Sequence, residues 1–161
     1  MKNNKGFSLV ELIIVIAIMA ILVGVMAPQL IKYIEKTNVS SDTQLCDTVK
    51  SAVTTAVMDP TVLNDASSVS MINTWAGSSW TNVSSLSGST EVEKAIQETL
   101  GMDGSAIGSI NTRIKSAHST TSAIQFKVMG SNSVHVQIPY TDNTGKKVTT
   151  SSAATDIIYV D

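Results

Sequence analysis

The sequence predicts an α+β fold: a long N-terminal helix laid against a C-terminal antiparallel sheet of three to four strands. Three observations predict it. An apolar run near the N-terminus continues into a stripe of apolar residues at three- and four-residue steps, the period of a helix with one buried face. The stripe ends at Asp59-Pro60, where the residue before proline avoids the α region. In the last third of the chain, apolar and polar residues alternate over short segments, the period of half-buried strands.

The helix is predicted from Phe7 to about Met58. Its first half is nearly all apolar: 20 of the 25 residues from Phe7 to Ile31 are hydrophobic, against 48 of the 130 that follow. Leu12 to Ile31 carries no charge, and twenty helical residues span roughly 30 Å, the thickness of a bilayer's hydrocarbon core. Its second half is amphipathic, with Leu30, Ile34, Leu45, Val49, Ala52, Val53, Ala56 and Val57 on one stripe. The stripe thins between Thr37 and Thr43, where Asn38, Ser40 and Ser41 are poor helix formers, which leaves room for a fray or bend within the one predicted helix. Cys46 lies near the stripe and reads as a small buried hydrophobe rather than a reactive thiol.

Residues 61–90 are rich in Ser, Thr and Asn, with Trp75 and Trp80 as large anchors, and read as a loop with short helical turns around Val62 to Ile72. Thr90 followed by Glu93 is a capping box that opens a short helix, Glu91 to Leu100. Gly101, Gly104 and Gly108 then break the chain, and Ile110 to Lys115 suits either period. Ile124, Phe126 and Val128 predict one strand, and Val134, Val136, Ile138 and Tyr140 its partner across a turn at Gly130 to Ser133. Pro139 suits that strand's end. A second turn at Asp142 to Gly145, a weaker strand near Lys147 to Thr150 and a closing strand at Ile157 to Val160 complete the meander.

Composition narrows the function. The 161 residues suit one globular domain, and eleven Lys and Arg against thirteen Asp and Glu leave no basic excess for a dedicated nucleic-acid binder. A single cysteine excludes an intrachain disulfide and any Cys-based zinc site. His118 and His135 have no carboxylate at ligand spacing. Asp142-Asn143-Thr144-Gly145 lacks the further acids of a Ca²⁺ loop and reads as a simple turn. No nucleophile elbow, P-loop or His-Glu-x-x-His motif appears, so no cofactor, metal or catalytic residue is expected.

Three features do not fit a generic membrane anchor. Glu11 is the only acid before residue 35 and lies one turn inside the apolar run, where an intramembrane charge asks for a partner. Lys5-Gly6-Phe7 is an abrupt junction ahead of it. Pro28 sits within the helical pattern, deleting one backbone hydrogen bond and crowding the carbonyl of Gly24.

The octet Lys5-Gly6-Phe7-Ser8-Leu9-Val10-Glu11-Leu12 resembles the processing site of the type IV prepilins and type II secretion pseudopilins. The resemblance covers about the first thirty residues. It implies cleavage between Gly6 and Phe7 by a prepilin peptidase, N-methylation of Phe7, and a mature chain with Glu11 fifth and the helix-kinking Pro28 twenty-second. It divides the chain into a leader at 1–6, a transmembrane and filament-core helix half at 7–31, a helix half packed on the head at 32–58, and a globular head at 59–161. In such filaments the glutamate of one subunit is thought to meet the terminal amine of its neighbour, which assigns assembly to Glu11 and Phe7 and the helix kink to Gly24 and Pro28. The implied partners are the peptidase, further subunits, membrane lipid before assembly, and an inner-membrane assembly platform with its ATPase. DNA is not an expected partner.

The implied function is a structural pilus subunit, membrane-held with its head outside and then displayed on the cell surface. The family's Gram-negative members often clamp the C-terminal region with a disulfide, and the lone Cys46 leans the resemblance toward Gram-positive ones. Competing readings are a pseudopilin of a secretion or competence machine and a single-pass anchor that never polymerises. A signal peptide cut after Ala27 is a fourth, disfavoured by the length of the apolar run.

Overall fold

The computed structural model of the 161-residue chain describes residues 8–77, 80–116, 123–129, 133–139 and 158–160. The chain forms two units, 1–37 and 38–161. Helix α1 (Leu9–Met58) begins in the first and ends in the second.

In the first unit, α1 is exposed on all sides. It is long and apolar enough to cross a membrane.

In the second unit, α1 turns one face inward. Cys46, Val49, Ala52, Val53, Ala56 and Val57 are all buried, at the three- and four-residue steps that put side chains on one stripe. Between Thr37 and Thr43 α1 runs on as the one helix predicted to about Met58, without a fray. Thr37 and Thr43 donate their hydroxyls to the carbonyls of Tyr33 and Val39 one turn back, which satisfies these side chains within the helix. Asp42, in the same stretch, is fully buried.

Past Met58 the chain is more helical than the sequence suggested. Asp59 caps helix α2 (Pro60–Leu63), accepting from the Thr61 N–H, with proline at the first helical position. Helix α3 (Ala66–Gly77) has twelve residues, in place of the expected loop with short turns. Its start is set by Asp65, whose carboxylate accepts from the Ser68 N–H and from the hydroxyls of Ser67 and Ser68. Buried Ser68 also accepts from the Val92 N–H, an otherwise orphaned donor in the first turn of the next helix. Trp75, near the end of α3, packs edge-on against Phe126 with ring centroids 5.0 Å apart.

A two-residue strand, β1 (Thr81–Asn82), and a 3-10 turn at Val83–Ser85 lead to helix α4 (Glu91–Thr99). The predicted capping box is present: Glu93 N–H meets the Thr90 hydroxyl, and the Glu93 carboxylate returns to the Thr90 N–H. Glu93 is 5% exposed and also accepts from Ser89 N–H, Ser89 Oγ and Ser87 Oγ. Gly101, at φ 64°, ends α4: its N–H bonds the Glu98 carbonyl and the Met102 N–H bonds the Gln97 carbonyl. The ambiguous Ile110 region is a 3-10 segment, Ile107–Arg113.

The sheet has four strands in the order β1-β2-β3-β4, all neighbours antiparallel, with β2 (Gln125–Met129), β3 (Ser133–Ile138) and β4 (Ile158–Val160) near their expected places. One edge strand is a correction: Thr81–Asn82 pairs with β2. The strand expected near Lys147 to Thr150, and the turn at Asp142 to Gly145, lie outside the described residues. Phe126, Val128, Val134, Val136 and Ile138 face the core shared with α1, α3 and α4. On the other face an amide ladder crosses three strands. Gln137 donates to Gln125, and Gln125 to Asn82, each at 3.0 Å.

Two expected outcomes follow from these loops. Gly88 has φ 75°, and an added Cβ would lie 2.7 Å from Gln97 Oε1, whose amide is buried and donates to the Leu86 carbonyl. Gly88→Ala is therefore expected to cost about 1–3 kcal/mol, read as a lower urea midpoint. The carboxylates respond to acid. Burial pushes the Glu93 carboxyl up, but the hydrogen bonds of Ser89, Ser87 and Thr90 together outweigh it and hold it below its ordinary 4.5. The Ser67 and Ser68 hydroxyls hold Asp65 down from 3.8 to about 2. Between ordinary and depressed values the folded chain binds fewer protons than the unfolded one, so its stability falls as pH falls. The caps of α3 and α4 are expected to be intact above pH 4.5 and lost as the pH approaches 2, read as loss of buried Trp75 fluorescence.

Candidate functional site

The N-terminal apolar segment concentrates the expected functional residues. Gly6 and Phe7 lie outside the described residues; Glu11, Gly24 and Pro28 lie on α1. From Leu9 to Ile34, eighteen large hydrophobic side chains are at least half exposed, far more apolar surface than a water-soluble monomer leaves bare. This surface requires lipid or other helices.

Glu11 stands in the first turn. Its Oε2 accepts from the Ser8 N–H at 2.9 Å, so Ser8 and Glu11 occupy the N-cap and N3 positions of a Ser-x-x-Glu capping pair. The sequence pattern was there to be read, but Glu11 drew attention as an intramembrane acid and its capping geometry was missed. The position also suits the positive end of the helix macrodipole. Oε1 accepts no hydrogen bond among the described residues, and so is open to a further donor.

Pro28 lies within the helical span and supplies no N–H to the carbonyl of Gly24, one turn earlier. A Cβ at Gly24 would meet nothing within 4 Å, so glycine there is not required by packing in a single chain. Helix α1 continues through Gly24 and Pro28, with the one backbone donor lost at Pro28.

The second unit holds a feature that the sequence reading missed. Asp42, fully buried, accepts from the N–H groups of Lys115 and Ser116 at 2.9 and 3.0 Å and from the Ser116 hydroxyl. This carboxylate fastens α1 to a segment more than seventy residues away in the chain. One signal could have found it. Asp42 precedes Cys46 by four residues, placing an acid at a core position of the stripe. Cys46 is buried, and burial, with the charges of Asp42 and Asp47, pushes its thiol up to about 12. It stays protonated at neutral pH and is no nucleophile.

Among the described residues, no three His, Cys, Asp or Glu side chains gather as a metal site. His135 is half-buried on β3, with Nε2 3.5 Å from the Ser133 hydroxyl; His118 lies outside the described residues.

Comparison with known families places residues 1–27 in the prokaryotic N-terminal methylation motif. The match spans the octet at Lys5 to Leu12 and the apolar run as far as Ala27, and it supports the type IV pilin and pseudopilin family. No curated protein and no solved structure matches the chain.

Proposed function

We propose, from the premise that this chain opens with a prokaryotic N-terminal methylation motif, that it is the structural subunit of a type IV pilus. The precursor is held in the cytoplasmic membrane by Leu12 to Ile31 with its head outside. A prepilin peptidase cuts between Gly6 and Phe7, and Phe7 is N-methylated. Processed subunits leave the membrane through an assembly platform driven by an ATPase, and stack through their apolar helices into a surface filament.

The observation that carries this reading is the wholly exposed apolar half of α1 with a carboxylate in its first turn. Lipid alone would accept the apolar surface, but it gives Glu11 no partner. Cleavage creates one: a positive amine at Phe7, four residues from Glu11. With Oε2 on the Ser8 N–H, Oε1 is left for the amine of a neighbouring copy. Lipid is already as apolar as these side chains, so the gain on assembly comes from close packing and from this pair, which fixes axial register. The weak turn at Gly24 and Pro28 lets the apolar half change length while the head stays folded.

Sequencing the N-terminus of the purified protein tests the processing step. Methyl-Phe7 is the expected result, whereas Met1 would leave a plain anchor and Pro28 a secreted domain. Electron microscopy of sheared surface material then tests the filament. Long fibres are expected, and their absence from cells holding methyl-Phe7 protein would point to a pseudopilus.

A further inference from the structure

The second unit is acidic, with eleven Asp and Glu against seven Lys and Arg. Stacking such heads along a filament brings like charge to like charge, a cost unless some surface offers the opposite sign. One surface does. Arg113 and Lys115 line an open groove of about 380 Å³, walled by Ser41, Gln44, Leu45 and Thr48 of α1. Both cations are exposed, and neither side chain has an ion pair or hydrogen bond among the described residues.

The groove is built rather than incidental. Asp42, next to the groove's Ser41 in α1, takes the N–H groups of Lys115 and Ser116, which fixes the backbone at Lys115, two residues from Arg113. Asp42 itself is fully buried and engaged by those donors, so its carboxylate is not offered to the groove. The hydroxyls of Thr48 and Thr112 donate to the carbonyls of Gln44 and Ser109, leaving the guanidinium and ammonium as the strong donors. A guanidinium beside an ammonium, over a partly apolar floor, is a receptor for a carboxylate.

We propose that this groove docks the carboxylate of Glu98 from a second copy of the chain, a contact that rests on the filament reading above. Glu98, at the end of α4, is exposed, and its carboxylate accepts no hydrogen bond among the described residues. Its neighbours are otherwise engaged: Glu91 pairs with Lys94 at 2.8 Å, and Asp103 caps the turn at Ala106. Asp47 is also exposed but lies on α1 between Gln44 and Thr48, at the groove's own margin. Groove and Glu98 are different surfaces of one head. Their contact is therefore heterologous, a kind that closes into a ring or, where its rotation does not close, propagates into the open helical array that the filament reading requires.

The test uses full-length chains in assembling cells. Glu98→Gln and Lys115→Ala chains are co-expressed, so that a Lys115–Glu98 link can form only between copies, and sheared filaments are treated with a zero-length carbodiimide. A Lys115–Glu98 cross-linked peptide is expected, and its absence from filaments that form normally overturns the docking. Separately, Arg113→Glu with Lys115→Glu is expected to lower filament yield about tenfold, as is Glu98→Lys, with processed subunit in the membrane unchanged. Combining all three substitutions should restore at least about half the yield. Failure of that rescue overturns the pairing. Absence of filaments from wild-type cells would instead bring down the filament reading, and the docking with it.

Discussion

Glu11→Ala is expected to yield a chain that is cleaved, methylated and held in the membrane, yet that assembles few or no filaments. In the proposed processing the peptidase reads the Gly6-Phe7 junction, which this substitution leaves intact. The membrane segment becomes more apolar, so insertion is unharmed. Within the subunit, the loss is one hydrogen bond to the Ser8 N–H at the start of α1, worth about 0.5–2 kcal/mol to a helix end. That is too little to unfold a helix with so much apolar surface. Between subunits the loss is larger in kind. The amine at Phe7 would enter an apolar bundle without a counter-charge, and an uncompensated buried charge costs about 3–5 kcal/mol. Repeated at every subunit, that penalty stops growth. Glu11→Gln separates the two roles, since it keeps an acceptor for Ser8 and removes the charge. If the cap matters, Gln should behave like wild type; if the charge pair matters, it should fail like Ala. Immunoblots of sheared filaments against membrane-held subunit measure this, and wild-type yield from Glu11→Ala would remove Glu11 from assembly.

The parts of this fold that were legible in the sequence are those written in local periodicity or local chemistry. The part of the stripe from Val49 to Val57, the stop at Asp59-Pro60, the Thr90-x-x-Glu93 box and the alternation in β2 and β3 each need only a few consecutive residues to be recognised, whereas Leu30 and Ile34, read on the same stripe, are exposed. What was not legible depends on partners distant in the chain. Thr81 and Asn82 are too few to show a period, and they are a strand only because β2 lies beside them. Helix α3 has five Ser, Asn and Thr among its twelve residues, types that favour turns, and it is held by the Asp65 cap and by Trp75 in the core. The candidate site divides the same way. Residues 5–12 form a contiguous motif that reads directly, whereas the groove joins α1 to residues 112–115 and no spacing announces it.

Asp42→Ala is expected to be the most damaging substitution in the head. Asp42 is fully buried and receives at least three donors, two of them backbone N–H groups that cannot turn elsewhere. Truncation leaves these donors facing a small cavity, and orphaned buried donors cost about 1–3 kcal/mol each, so the loss is at least about 3 kcal/mol. Domains of this size hold only about 5–15 kcal/mol in reserve, so the head should lie close to its unfolding threshold. Two companions grade the effect. Asp42→Asn keeps the volume but offers one acceptor oxygen and turns an N–H toward a donor, which places it between Ala and wild type. Ser116→Ala removes only the hydroxyl donor and should cost about 0.5–1.5 kcal/mol. Urea unfolding in detergent, followed by Trp75 fluorescence, reads the head without interference from the apolar half of α1. Trp75 is 4% exposed and set against Phe126, so its emission shifts only when the head opens. The expected order of midpoints is wild type, Ser116→Ala, Asp42→Asn, Asp42→Ala. An Asp42→Ala midpoint equal to wild type would mean that α1 and the Lys115–Ser116 segment are held together by packing alone. The groove cations would then have lost the support that fixes them in place.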